Sequence, residues 1–114
     1  MKIIEDDGYK VEYNLQEKTV DFSGTLRLSG LVEYAPIVNC LESAVDEADA
    51  LTLSLKDLSF LNSSGIAVLS KFVIKARNKP DFSLTIVGSE ETPWQGKSLK
   101  NLQRLMPALK LELS

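Results

Sequence analysis

Asn62, Ser63, Ser64 and Gly65 form a short polar turn between two segments of opposite periodicity. Upstream, Leu51, Leu53 and Leu55 alternate with Thr52, Ser54 and Lys56, the signature of a strand with one buried face. Downstream, Ile66, Leu69, Phe72, Val73 and Ala76 recur at helical spacing. The turn therefore opens a helix, where the first N–H groups lack intrahelical acceptors and the dipole favours negative charge. Asn62 is a good N-cap, and it leaves two hydroxyls in the first turn. A hydroxyl placed there is accessible, and a phosphate added to it is electrostatically tolerated. The chemistry on offer is that of a phosphoryl acceptor. The plainer reading of the same residues, a helix cap and nothing more, stays open on this evidence.

The wider segment Asp57-Leu58-Ser59-Phe60-Leu61-Asn62-Ser63-Ser64-Gly65-Ile66-Ala67-Val68-Leu69 resembles the signature of STAS domains of the anti-sigma factor antagonist type, D-L-S-x-[ML]-D-S-S-G-[IL]-x-x-L. Beyond it the likeness is one of element order and not of identity. The resemblance implies a non-enzymatic regulator in a partner-switching pathway. The first Ser of the pair, Ser63, would be phosphorylated by a Ser/Thr kinase that doubles as an anti-sigma factor. A metal-dependent PP2C-type phosphatase would reset it. Leu61, Asn62, Ser63, Ser64 and Gly65 would meet the partner, and Arg27, in the connection before the first helix, is expected to face the same way. The chain departs from the pattern at Asn62, where the family has Asp. Both residues cap helices well, so exchanging them is expected to alter stability little. Two other classes of function fit the same turn: a constitutive protein-interaction domain, and a STAS-like sensor of a small ligand.

Other chemistry is poorly provided for. The chain has no histidine, which removes Ser-His-Asp and Cys-His catalysis and the commonest general base near neutral pH. One cysteine, Cys40, cannot make an internal disulfide or a thiolate metal cluster, and its helical neighbours suggest a buried small hydrophobe. There is no Walker loop, no G-x-G-x-x-G and no G-x-S-x-G. No enzymatic activity and no cofactor are expected. A net charge of −3 argues against a nucleic-acid partner, which needs a concentrated basic surface. The basic group Lys71, Lys75, Arg77 and Lys79 is expected to lie on the solvated, C-terminal half of the helix after the turn. No apolar run is long enough to span a bilayer, and Met1-Lys2-Ile3-Ile4 passes directly into Glu5-Asp6-Asp7, unlike a signal peptide. A cytoplasmic, membrane-independent protein is the expectation.

The elements that position the turn are legible from the same patterning. At 114 residues the chain has the size of one domain, taken as 1–114. Tyr9–Tyr13 and Thr19–Ser23 alternate and are joined by a short turn, which predicts an opening hairpin. A helix carrying Ile37, Leu41, Ala44, Val45 and Ala48 follows, with Pro36 placed in its first turn. The helix after Asn62 is predicted over about 63–78. A fourth strand through Leu84 and Ile86, a helix through Leu99 to Met106, and a last strand through Leu109 to Leu113 complete the chain.

All five predicted strands alternate, whereas strands covered on both faces read as continuous apolar runs. The fold class is therefore α/β: a two-layer, STAS-like sandwich with a mixed five-stranded sheet and three helices on one face. Lys10, Glu12, Thr19, Asp21, Thr52, Ser54, Thr85 and Lys110 should line the wet face. Val11, Phe22, Leu53, Ile86 and Leu111 should point into the core.

Overall fold

A computed structural model of the chain describes residues 2–114, so Met1 lies outside them. The elements run β1 (Lys2–Asp6), β2 (Tyr9–Asn14), β3 (Thr19–Leu26), α1 (Gly30–Glu47), β4 (Ala50–Leu61), α2 (Ser63–Asn78), β5 (Ser83–Gly88), α3 (Gln95–Leu105) and β6 (Lys110–Leu113). The strands form a single mixed sheet in sequential order, β1 to β6. β1, β2 and β3 pair antiparallel, and β3 through β6 pair parallel. Each parallel step crosses over through one helix. Because the order never reverses and such crossovers are right-handed, all three helices fall on the same face.

The sheet has six strands rather than five. β1 carries almost no periodic signal, because as an edge strand it tucks in only part of Ile4 and leaves Ile3 exposed. The two-layer arrangement itself holds. Val11, Phe22, Leu53 and Ile86 are buried under the helices. Lys10, Glu12, Thr19, Asp21, Thr52, Ser54, Thr85 and Lys110 all retain access to water. Leu111 differs from the expectation: it is only half-buried, on the short edge strand β6.

α1 begins at Gly30, so Pro36 sits within the helix and not in its first turn. Lacking an N–H, it cannot donate to the Val32 carbonyl one turn back. The basic residues of α2 and its C-cap also have more to do than face water. Lys79 reaches across to α1 and donates to the carbonyls of Val45 (2.5 Å) and Ala48 (2.7 Å), supplying a cation to a helix whose last turn has none of its own. Lys75 bridges Glu42 and Asp46 at 3.7 Å each, and Arg77 donates to the Leu105 carbonyl at 3.0 Å.

β4 is the element that delivers the polar turn, and its regular alternation ends at Leu55. Leu55, Leu58 and Leu61 are three residues apart, yet all are buried. The ladder to β3 accounts for this: Asp21 pairs with Ser54 but Ser23 with Asp57, and Gly24 pairs with Leu58 but Thr25 with Phe60. Each step inserts one extra residue into β4, a bulge that brings the next leucine back to the core face. Carbonyls displaced from the ladder need other donors. Gln95, fully buried at the start of α3, donates through Nε2 to the Leu55 (2.6 Å) and Leu58 (3.0 Å) carbonyls and accepts the Ser89 N–H at 2.7 Å. The Trp94 indole adds a bond to the Leu58 carbonyl at 3.1 Å.

Candidate functional site

β3 and β4 are parallel neighbours, so their C-terminal ends emerge side by side: Leu26 pairs with Leu61, and the Asn62 N–H donates to the Leu26 carbonyl at 3.1 Å. The residues that follow, Arg27 from β3 and Asn62 to Gly65 from β4, therefore share one edge of the molecule.

Asn62 is the N-cap of α2. Its Oδ1 accepts from the Gly65 N–H at 3.0 Å and from the Tyr34 hydroxyl at 2.7 Å, and its Nδ2 donates to the Leu28 carbonyl at 2.8 Å. One side chain thus ties together the β3–α1 connection, the first turns of α1 and the start of α2. Burial pushes the Tyr34 phenol up from its ordinary pKa, which keeps it a donor. Asp at this position could accept from Gly65 and Tyr34, but it has nothing to offer the Leu28 carbonyl. The expectation that Asn and Asp are interchangeable here is corrected on that ground.

Leu61 and Gly65 belong to the interior and not to the surface expected of them. Leu61 is 6% exposed and Gly65 is buried. A Cβ on Gly65 would fall 2.2 Å from Leu61 Cδ1 and 2.7 Å from the Tyr34 hydroxyl. Glycine is needed there so that α2 can lie close against the end of β4 and the Tyr34 bond. Ser63 is exposed and Ser64 half-buried in the first turn above this base. Asn62 accepts the N–H groups of Gly65 and Ile66, while those of Ser63 and Ser64 are the first two of the helix.

Arg27 is exposed, and its guanidinium lies 4.7 Å from the centre of the Phe60 ring. Phe60 is itself exposed, as are Leu31 and Val32 in the first turn of α1. Sequence reasoning had not picked out Phe60, Leu31 or Val32. The β4 bulges turn Phe60 outward, and a simple alternation gives no sign of them. Tyr34 was also missed, since its partner Asn62 is 28 residues away. Among the described residues no group of three or more His, Cys, Asp or Glu side chains is gathered to hold a metal ion. The edge offers an exposed hydroxyl, a cation and apolar side chains on a rigid base.

No family model matches the chain, and no curated protein matches it in sequence. Solved structures do match its fold. SiaC of Pseudomonas aeruginosa is 10% identical with a TM-score of 0.78, over 100% of this chain and 98% of that one. A chain in the complex of the diguanylate cyclase SiaD with its activator SiaC, from the same organism, is 10% identical with a TM-score of 0.77 over the whole of both chains. An anti-sigma factor antagonist from Mycobacterium paratuberculosis is 21% identical with a TM-score of 0.61, over 96% of this chain and 82% of that one. The fold is of the STAS type, as the segment around Ser63 had implied.

Proposed function

We propose that the chain is a non-enzymatic, single-domain cytoplasmic regulator that binds protein partners at the edge bearing Arg27, Phe60 and Ser63, with Ser63 as its phosphorylation switch. The observation that carries this is the contrast between Ser63 and its neighbours. Ser63 is exposed, while Leu61, Asn62 and Gly65 are held by packing and hydrogen bonds. A phosphate on Ser63 adds about −1.5 to −2 charges without asking the fold to move. A partner packed against the neutral hydroxyl and the apolar residues around it would then hold an unpaired, poorly solvated charge, and would let go. In the partner-switching reading that partner is a Ser/Thr kinase acting as an anti-sigma factor, and a PP2C-type phosphatase restores binding.

A second reading of the effector has its own support. SiaC activates a diguanylate cyclase, and its fold matches this one over nearly the full length of both chains. An effector enzyme of that kind can replace the anti-sigma factor while the switch stays the same.

The test is binding by Ser63 variants. Ser63→Asp is expected to weaken the partner at least tenfold, about 1.4 kcal/mol, while Ser63→Ala keeps binding and resists modification. Intact mass of protein purified from its own host should show a fraction about 80 Da heavier that maps to Ser63. Equal binding by the two variants sinks the switch.

A further inference from the structure

We propose that the outer edge of β1 pairs antiparallel with the same strand of a second copy of the chain, in the register that sets Lys2 of each copy opposite Asp6 of the other. The sheet ends at β1, and all of its residues but Ile4 are exposed. Which backbone groups face outward follows from hydrogen bonds deeper in the sheet. The Leu26 carbonyl accepts from Asn62 at 3.1 Å and the Lys18 carbonyl from Thr52 at 2.9 Å, so even-numbered residues of β3 turn toward β4 and odd-numbered ones toward β2. The Thr25 N–H accordingly donates to Gly8 at 2.7 Å. The alternation then turns Tyr9, Val11 and Tyr13 toward β1, where they pair with Asp6, Ile4 and Lys2. Ile3 and Glu5 are left with N–H and C=O groups pointing out of the sheet. An unpaired edge of this kind is a template for another strand.

The charges decide which strand. Edges are blunted by proline, by bulges or by repelling charges. β1 has no proline, and its register with β2 is unbroken from Lys2 to Asp6. Its charges are of both signs, and neither Lys2 nor Asp6 makes an ion pair among the described residues. A two-fold axis that continues the sheet stands perpendicular to it, so residues brought opposite each other come from the same face. Ile4 lies beside the buried Val11, which puts Lys2, Ile4 and Asp6 on the helix face and Ile3 and Glu5 on the open one. The registers that obey this and keep most of the strand paired are centred on Ile3, Ile4 or Glu5. Centring on Glu5 sets two carboxylates face to face, and centring on Ile3 sets Lys2 against an isoleucine. Centring on Ile4 lets Ile3 of each copy exchange both backbone bonds with Glu5 of the other, packs the two Ile4 side chains together, and opposes Lys2 to Asp6 at both ends. Glu5, the remaining charge, already lies across from Lys10 of its own hairpin. β1 runs in the same direction as β3 and β4, so its Asp6 end is the Ser63 end. The pairing therefore points the two Ser63 edges away from each other and leaves both open to partners.

The test follows self-association of the full chain by sedimentation velocity, over a concentration series reaching the millimolar range, since a contact of one short strand on each side is small and weak. A reversible dimer is expected. The amides of Ile3 and Glu5 should gain exchange protection as concentration rises, while those of Ile4 and Asp6 are protected throughout. Ile3→Pro removes an outward N–H that the fold does not use, and should abolish the dimer. Lys2→Asp and Asp6→Lys should each weaken it at least about tenfold, because the two-fold makes each substitution act twice. Mixed in equal amounts, those two variants should bind each other at least about tenfold more tightly than either binds itself, since the mixed pair restores opposite charges at both ends. A monomer at every concentration overturns the proposal, as does a dimer whose mixed variants show no preference for each other. A dimer that leaves the Ile3 and Glu5 amides unprotected forms elsewhere and overturns it as well, and that readout needs no variant to fold. Ser63→Asp should self-associate like wild type; a loss there would place the contact on the switch edge and refute β1.

Discussion

Asn62 commits both polar atoms of its side-chain amide to the fold. The atom facing the Gly65 N–H must be the oxygen, and the atom facing the Leu28 carbonyl must be the NH₂, so the partners themselves fix the amide's orientation. Asn62→Asp, which brings the family pattern back, is therefore expected to cost about 1–3 kcal/mol, the penalty for leaving the Leu28 carbonyl unpaired beside a carboxylate. Urea denaturation measures it, and a loss below about 0.5 kcal/mol would mean that the Leu28 bond contributes nothing. The cap was legible in the sequence because capping is local. The bonds to Leu28 and Tyr34 were not, because they depend on β3 and α1 arriving beside β4. Tyr13 is a second residue whose environment decides its behaviour. It is buried, and its hydroxyl donates to Glu47 Oε2 at 3.1 Å; burial first, then Glu47, pushes its pKa from 10.0 up to about 12. Between those two values the folded phenol keeps a proton that the unfolded one has lost. The folded state thus binds more protons there, and stability must fall as pH rises through that window. Tyr13→Phe should flatten that part of the stability curve, and an alkaline slope identical to wild type would show that Tyr13 is not its source.

At the scale of elements, the strand that carries the site is held by α3, which packs on the same face of the sheet as α1 and α2. The strand alternation of β4 is legible only over Leu51 to Lys56, because the three-residue spacing of Leu55, Leu58 and Leu61 is not a strand period. The two bulges reconcile that spacing with a buried face, and Gln95 satisfies the carbonyls that they displace. Gln95→Leu keeps a similar volume but orphans the Leu55 carbonyl and the Ser89 N–H, while Trp94 still serves Leu58. The expected loss is about 2–6 kcal/mol, from two groups at roughly 1–3 each. Amide exchange should quicken at Leu58 to Leu61 before it does in β2, since the lost bonds lie under the bulged segment. Uniform exchange changes would mean that Gln95 supports the whole fold and not this strand. The helix α2 was legible to the residue because cap, period and breaker all agree over 63–78. β1 was not, because an edge strand that buries part of one isoleucine has little pattern to show.

The whole molecule is a sheet with one face committed to helices and the other left to water, and the cause is topological. Strand order increases by one at every parallel step, so each right-handed crossover lands on the same side. A nucleotide-binding doubly wound sheet reverses its order midway and so covers both faces. The alternation in β2 to β5 is the record of that one-sidedness in sequence, and a single pair of neighbours tests it. Leu53 and Ile86 are fully buried and adjacent in the β4–β5 ladder; Thr52 and Thr85 are adjacent one position earlier and reach the opposite face. Leu53→Ala and Ile86→Ala should each cost roughly 2–5 kcal/mol through lost burial and the cavity left behind. Thr52→Ala and Thr85→Ala should stay within about 0.5 kcal/mol, since water replaces what is removed. Leu111, half-buried at the sheet's edge, should fall between the two sets. Chemical denaturation of the four central variants under one condition is sufficient. If the threonine variants prove as costly as the leucine and isoleucine ones, the polar face is not open to solvent. A second layer, most simply another copy of the chain, must then cover it, and that cost should depend on protein concentration.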